Sequence, residues 1–318
     1  ELEEWERELV INLHDLKENP EDYIQLPVKD ESYELNIMME FCNSFSDISM
    51  PDKIEKEEDL KVIQSKLQDK KGVLAQKEVT EKNEYPPVLF NLSALQGHIT
   101  SKYTGFTSDK VLKVAQSLYE KKYITYPRTA SSVLDESLVD KAKKVLFSLK
   151  QGLPYEEELV FRKSPRVFNS KKVESHSAII PTYVKATGLT ADEQVVYNAV
   201  KDRFIMQFMP VAEFEETKIT LKPENPEVKG EFIAKGKVQL VEGWRKVEKI
   251  DTKDTILPMV NKDENVHFVA NKIGKVTKKP PKYHTEKTLL RVMETCGKGV
   301  EDKEDSEEMM RSEEHTSE

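Results

Sequence analysis

The chain's 318 residues are 37% hydrophobic and 34% charged, with a net charge of −9 at neutral pH. That length exceeds one usual domain and predicts two or three, and the composition, though polar, is sufficient to build cores. No apolar run approaches the roughly 20 residues needed to span a bilayer, and Cys42 and Cys296 lack a CxxC partner, which argues against a membrane span, a disulfide framework and a cysteine-type zinc site.

Leu2, Trp5, Leu9 and Leu13 recur at helical spacing, so residues 1–19 are predicted helical. The opening Glu-Leu-Glu-Glu shows no basic stretch followed by an apolar one; no signal peptide is expected, and a reduced cytoplasmic setting fits. Pro20, Pro27 and Pro51 punctuate a mixed stretch over 20–52. Leu60, Ile63 and Leu67 predict a surface helix over 56–71 with those three inward, and Val73–Val79 alternates like a strand that Tyr85-Pro86-Pro87 ends. Leu89–Gln96 starts a helical unit. Ser108 is the predicted N-cap of a helix to about Lys122, whose Val111, Leu112, Ala115, Leu118 and Tyr119 form one apolar stripe. Two further helices are predicted over 135–150 and 190–208. From 211 to 275 the period becomes two, as in Thr217, Ile219 and Leu221 and again in Val266, Phe268 and Ala270, with turns at Pro223–Pro226 and Gly243. Lys278-Lys279-Pro280-Pro281 reads as a linker into a last helix from Glu286 to about Thr295. The fold class expected from this order is α+β, a helical unit inserted into a β-rich one.

Charge is unevenly spread. Residues 1–60 hold 5 Lys and Arg against 19 Asp and Glu, whereas residues 97–182 hold 15 against 9. The locally basic middle is compatible with phosphate binding despite the acidic total, because the local field decides it; the same lysines would also serve simply to solvate a surface.

The stretch richest in chemistry is Tyr123-Ile124-Thr125-Tyr126-Pro127-Arg128-Thr129-Ala130-Ser131-Ser132. Pro127 disfavours α geometry at Tyr126, so the preceding helix should stop short of it. On an extended segment Tyr126 and Arg128 share a face. A phenol and a guanidinium side by side suit phosphoryl transfer: the phenolate attacks phosphorus, and the guanidinium binds the non-bridging oxygens as charge builds. By spacing alone the pair describes as readily a buried tyrosine and a surface arginine on an edge strand. His176, in Glu174-Ser175-His176-Ser177-Ala178-Ile179-Ile180-Pro181-Thr182, is placed either to donate to a phosphate oxygen or to sit as a satisfied core histidine. No GxxxxGK[ST] loop is present, so ATP use is not expected. No GxSxG, HExxH or clustered His/Cys set occurs, and Asp251 and Asp254 read as solvated turn residues rather than metal ligands.

Taken together, Pro86-Pro87-Val88-Leu89-Phe90-Asn91-Leu92-Ser93-Ala94-Leu95-Gln96, then Gln116-Ser117-Leu118-Tyr119-Glu120, then Ile124–Ser132, then His176–Thr182 and finally Thr285-Glu286-Lys287-Thr288-Leu289-Leu290 with Met293-Glu294 resemble the successive landmarks of the type IA DNA topoisomerases, in the order and spacing of the topoisomerase III branch. The resemblance covers nearly all of residues 1–310. It implies a multidomain toroidal core with a groove for single-stranded DNA: residues 1–28 and 276–310 in a base domain, 29–96 and 206–275 in a β-rich arch, and 97–205 as the helical domain that carries the nucleophile. It implies that Tyr126 forms the 5′-phosphotyrosine link with Arg128 stabilising the scissile phosphate, and that His176, Gln96, Thr129 and Ser131 contact DNA. The implied enzyme needs no ATP, works with Mg²⁺ held on a Toprim domain outside this chain rather than by these residues, and is a monomer in the cytoplasm at the bacterial nucleoid, with no membrane partner.

The chain departs from the family pattern at Ala130, where an acidic residue is usual, and in lacking both the Toprim domain and the Gly-Thr-Pro-Ala-Thr-like segment after the last helix. The chain alone is therefore expected to be catalytically silent; the alternative is a truncated, non-catalytic module that holds single-stranded DNA. Residues 311–318, Arg-Ser-Glu-Glu-His-Thr-Ser-Glu, correspond to a codon run found in a common sequencing adapter and are expected to be foreign to the family.

Overall fold

A computed structural model describes residues 31–41, 44–49, 56–67, 71–173, 175–228, 230–250, 253–258, 260, 265–277 and 283–293. The expected helix over 1–19, Cys42, Asp251, Glu174, the linker over 278–281, Cys296 and the octapeptide 311–318 lie outside the described residues. The elements in order are β1 (Glu31–Phe41), β2 (Ser44–Ser49), α1 (Glu57–Leu67), β3 (Lys71–Glu84), α2 (Leu92–Lys102), α3 (Ser108–Glu120), α4 (Val139–Lys150), α5 (Ala191–Met206), β4 (Ala212–Pro223), β5 (Phe232–Val241), α6 (Arg245–Glu248), β6 (Asn265–Thr277) and α7 (Glu286–Met293). Helices and antiparallel strands thus coexist, as an α+β class requires.

The chain divides into two compact units. One comprises residues 1–81, 215–238 and 254–282, the other 82–214, 239–253 and 283–318. In the first, the strands close into a barrel in the order β1-β2-β5-β4-β3-β6. Closure removes the free edges that would otherwise pair with another chain. β1 runs antiparallel to β6 over almost its whole length, with a bulge between Met38 and Met39. The apolar stripe of α1 supplies Leu60 and Leu67, both fully buried against Ile219, Leu221, Phe232 and Ala234. Burying each such side chain stabilises by about 1.5–3 kcal/mol. Ile63 is partly buried beside them, so the helix faces inward as its spacing implies.

The second unit is built on α2–α5 and has two cores. Phe90, Leu95, Ile99, Val111, Leu118 and Val196 contribute to the one beneath the tyrosine-bearing segment. Ala142, Val145 and Leu146 of α4 join Phe204, Phe208 and Trp244 in the other. α3 differs from expectation in two respects. Its N-cap is Thr107, whose hydroxyl accepts from Lys110 N at 3.2 Å, while Ser108 is the first helical residue and donates through both N and Oγ to Glu286 of α7. And Tyr119 leaves the apolar stripe, standing 40% exposed.

α5 opens with a full capping box. Thr190 Oγ1 accepts from Glu193 N, and the Glu193 carboxylate accepts from Thr190 N. The same buried carboxylate also receives Ser117 Oγ and Lys121 Nζ, so it ties the end of α3 to the start of α5. The Lys121 bond leads the forces that pull the Glu193 carboxyl down to a pKa of about 2. Thr190→Ala is expected to cost about 1 kcal/mol of stability, read as a lower urea midpoint with an unchanged slope; an unaltered midpoint would show that the box contributes nothing.

Candidate active site

α3 ends in a Schellman motif. Tyr123 N bonds Leu118 O at 2.9 Å and Lys122 N bonds Tyr119 O at 2.8 Å. Lys122 takes the left-handed conformation this requires, with φ 63°, where glycine is the usual occupant. The chain therefore turns sharply out of the helix four residues before Tyr126. It then pairs with the stretch after His176: Thr182 N donates to Tyr123 O, Thr125 N to Ile180 O, and Thr125 Oγ1 to Ala178 O, with Ile124 and Pro181 bridged in antiparallel fashion. Tyr126 lies outside any helix, as Pro127 dictates.

Thr129 N donates to Pro127 O at 3.0 Å, closing a three-residue turn with Arg128 at its apex. Burial alternates along this segment. Pro127, Thr129 and Ser131 are buried, whereas Tyr126 is half-buried and Arg128 and Ala130 are exposed. Tyr126 and Arg128 do emerge on the outer side, although a turn rather than a plain strand puts them there.

The inward residues hold the segment in place. Thr129 Oγ1 donates to His176 O at 2.9 Å and accepts from Ser131 N at 3.1 Å. Thr129 O accepts from Leu92 N at 3.1 Å. Ser131 Oγ donates to Val133 O at 3.1 Å. Asn91 serves two partners: its Oδ1 caps α2 by accepting from Ala94 N at 2.8 Å, and its Nδ2 donates to Ala130 O at 3.1 Å. The hydroxyls of Thr125 and Thr129 thus both link the segment bearing Tyr126 to the segment that follows from His176.

The Tyr126 ring lies between two others. His176 is at 4.6 Å between centroids, tilted by 52°, and Tyr119 meets it edge-on at 5.3 Å and 76°. Such contacts fix the ring's direction and contribute about 0.5–1.5 kcal/mol per aromatic pair. Among the described residues neither the Tyr126 hydroxyl nor the Arg128 guanidinium has a hydrogen-bond or ion-pair partner. A phenol and an exposed imidazole therefore meet at one solvent-facing spot, with an exposed guanidinium two residues further along the chain.

The structure brings Tyr126, His176 and Thr129 into contact and places Arg128 at the turn between them. Gln96 is elsewhere in its bonding. It is 8% exposed on α2, and its side-chain amide donates to Ser108 O at 3.0 Å. Thr129 and Ser131 are likewise engaged in backbone support rather than displayed. Two residues of the site escaped sequence reasoning. Asn91 was readable as an N-cap before Leu92; Tyr119 was not, since its helical spacing assigned it to the core. Among the described residues no group of three or more His, Cys, Asp or Glu side chains is positioned to hold a metal ion. Tyr126, Arg128 and His176 include no carboxylate, so this donor set does not fit Mg²⁺. No described helix is long and apolar enough to cross a membrane.

A family model described as DNA topoisomerase matches residues 9–301. The chain is 33% identical over 240 residues to DNA topoisomerase 3 of Haemophilus influenzae, covering 72% of this chain and 36% of that protein. It is 34% identical over 247 residues to DNA topoisomerase 3 of Bacillus subtilis, covering 72% and 33%. A full-length topoisomerase I structure from Thermotoga maritima superposes with a TM-score of 0.60 at 26% identity, covering 85% of this chain and 45% of that one. The chain thus spans about a third of the length of these curated relatives. With a family match over most of its length and a matching fold, this chain belongs to the type IA DNA topoisomerase family.

Proposed function

We propose that this chain carries the strand-cleaving tyrosine of an ATP-independent DNA topoisomerase, and that Tyr126 is that tyrosine. The observation that carries the reading is the half-buried Tyr126 ring fixed between His176 and Tyr119, with the exposed Arg128 two residues on. The step is a transesterification. Tyr126 Oη attacks a backbone phosphorus of a single DNA strand, an Oη–P bond forms, and the bond from phosphorus to the 3′-oxygen breaks. The phenol proton is lost and the leaving 3′-oxygen gains one, so charge and atoms balance. The 5′-phosphate stays on the protein and the phosphodiester energy is conserved for rejoining. Arg128 and His176 bind the phosphate oxygens as charge grows on them. Thr129 and Ser131, though candidates for DNA contact, act by holding the site's backbone, and Gln96, the third candidate, ties α2 to the start of α3.

Residues 97–205 then form the catalytic-tyrosine domain and residues 29–96 and 206–275 the arch, with residues 1–28 and 276–310 in the base. The proton transfers and any Mg²⁺ requirement rest on groups outside the described residues, so the isolated chain is expected to bind single-stranded DNA in a salt-sensitive way without cutting it. The test is to incubate the chain with end-labelled single-stranded DNA and Mg²⁺, denature, and resolve protein-linked label. No adduct is expected from the chain alone, and an adduct once it replaces the matching segment of a full-length relative. A replacement enzyme that folds and binds DNA yet never forms an adduct would leave only a DNA-holding module.

A further inference from the structure

The inner face of α4 packs Ala142, Val145 and Leu146 into the core, as any amphipathic helix would. Its outer face is less ordinary. Lys141, Lys143 and Lys144 are exposed there, and among them Phe147 stands 49% exposed. Lysines solvate a surface; a phenyl ring does not. Lys143 and Lys144 lie four and three residues before Phe147, and Lys150 three after, so all four share one side of the helix. Lys150 Nζ sits 5.2 Å over the Phe147 ring. On the other side an open groove of about 520 Å³ is lined by Asp140, Lys143, Lys144 and Phe147.

We infer that this face of α4 is an accessory contact for single-stranded DNA, separate from the Tyr126 site. The inference rests on the reading of the chain as a DNA-acting protein. An exposed aromatic ring flanked by ammonium groups is the chemistry that holds an unpaired base by stacking while its neighbouring phosphates are neutralised. A duplex offers no base face to Phe147, so the occupant is a single strand. The strand's course is bounded on one side. Beyond Lys150 the turn Glu156-Glu157-Glu158 borders a separate groove with Lys150, Pro154 and Tyr155 and repels phosphate. A strand on α4 therefore lies over Lys150, Phe147, Lys144 and Lys143, where the ammonium groups outnumber the one carboxylate of the groove, Asp140.

The test uses the full chain and a fluorescein-labelled oligothymidylate of about 30 nucleotides, long enough to reach both sites. Phe147→Ala is expected to weaken binding roughly tenfold, the scale of one lost stacked base. Lys143→Ala with Lys144→Ala should flatten the slope of log affinity against log salt by about 1.4, two phosphates' worth. Phe147→Trp should bind at least as well as the parent, with tryptophan fluorescence quenched by the oligonucleotide beyond the parent's own change. All three positions are exposed, so thermal unfolding of the variants should match the parent. Parent-like binding by the variants at every salt would overturn the proposal, as would an equal loss for blunt duplex or for polyglutamate. Loss on Arg128→Ala but not on the α4 changes removes this contact alone; a parent chain that binds no single strand removes the proposed function with it.

Discussion

Tyr126→Phe in the replacement enzyme eliminates the protein–DNA adduct altogether while leaving binding of single strands near the parent's. The substitution deletes only the oxygen that would bond phosphorus. The ring remains, and with it the contacts to Tyr119 and His176 that orient the segment. The backbone around it is held by Thr125, Thr129 and Asn91, none of which touches the hydroxyl. No fold-level explanation for the loss is then available, and denaturation followed by gel separation of labelled DNA reads the result directly. Arg128→Ala is expected to reduce the adduct's rate of formation by about 10²–10³, the scale of losing one donor to a developing oxyanion. Arg128→Lys should recover only part, because a compact ammonium cannot make the bidentate contact. An adduct that persists in Tyr126→Phe would mean that another residue is the nucleophile.

A drop in pH from 7 to 5 should cost the fold about 2 kcal/mol through His98 alone. His98 stands on α2 beneath the segment that leads to Asn91, with its ring 5.2 Å from that of Phe90. Arg203 of α5 lies 3.9 Å over the same Phe90 ring, donates to Val88 O at 3.1 Å and approaches His98 Nδ1 at 3.4 Å. A guanidinium has only donors, so Nδ1 must accept and the imidazole must be neutral. Burial first, then the charges of Arg203 and Lys102, with Lys287 adding a little, push the His98 pKa down to about 4 against the opposing pull of Glu248.

The sign follows from that direction. In the unfolded chain His98 takes up its proton near 6.5, while the folded protein refuses it until about 4. Stability is therefore whole above 6.5 and is lost progressively as pH falls towards 4. Two other groups act differently. Glu193, held at about 2, contributes a loss only below its ordinary 4.5, and Asp202, whose carboxyl burial pushes up, works in the opposite sense. Urea unfolding of the parent and of His98→Gln at pH 7 and pH 5 isolates the term, since only the parent carries the titrating ring. Equal losses in the two proteins would show that His98 carries none of this pH dependence.

α1 and α3 were legible in the sequence because each buries one stripe. Leu60 and Leu67 of α1, and Val111, Ala115 and Leu118 of α3, sit where a 3.6-residue period puts them. Pro127 sufficed to release Tyr126 from helix, because the restriction it imposes is covalent and local. Tyr119 shows where the method stops. Helical spacing assigns it to the core, and only packing against Tyr126 reveals that its ring belongs to the site. Ser108 shows the same at a helix start: Thr107 and Ser108 are both capping residues by type, and the Glu286 carboxylate, 178 residues away in sequence, decides which one caps.

By itself, then, the sequence determined the α+β class, the helix faces, and the tyrosine and arginine two residues apart, all of which depend on short-range periodicity and backbone restriction. Only the tertiary structure decided that Thr129 joins the Tyr126 and His176 strands, that Gln96 turns its amide to Ser108 O, and that the barrel closes through β1 and β6. Those facts rest on contacts between residues far apart along the chain, and nothing in local spacing encodes which distant carbonyl a buried hydroxyl or amide will meet.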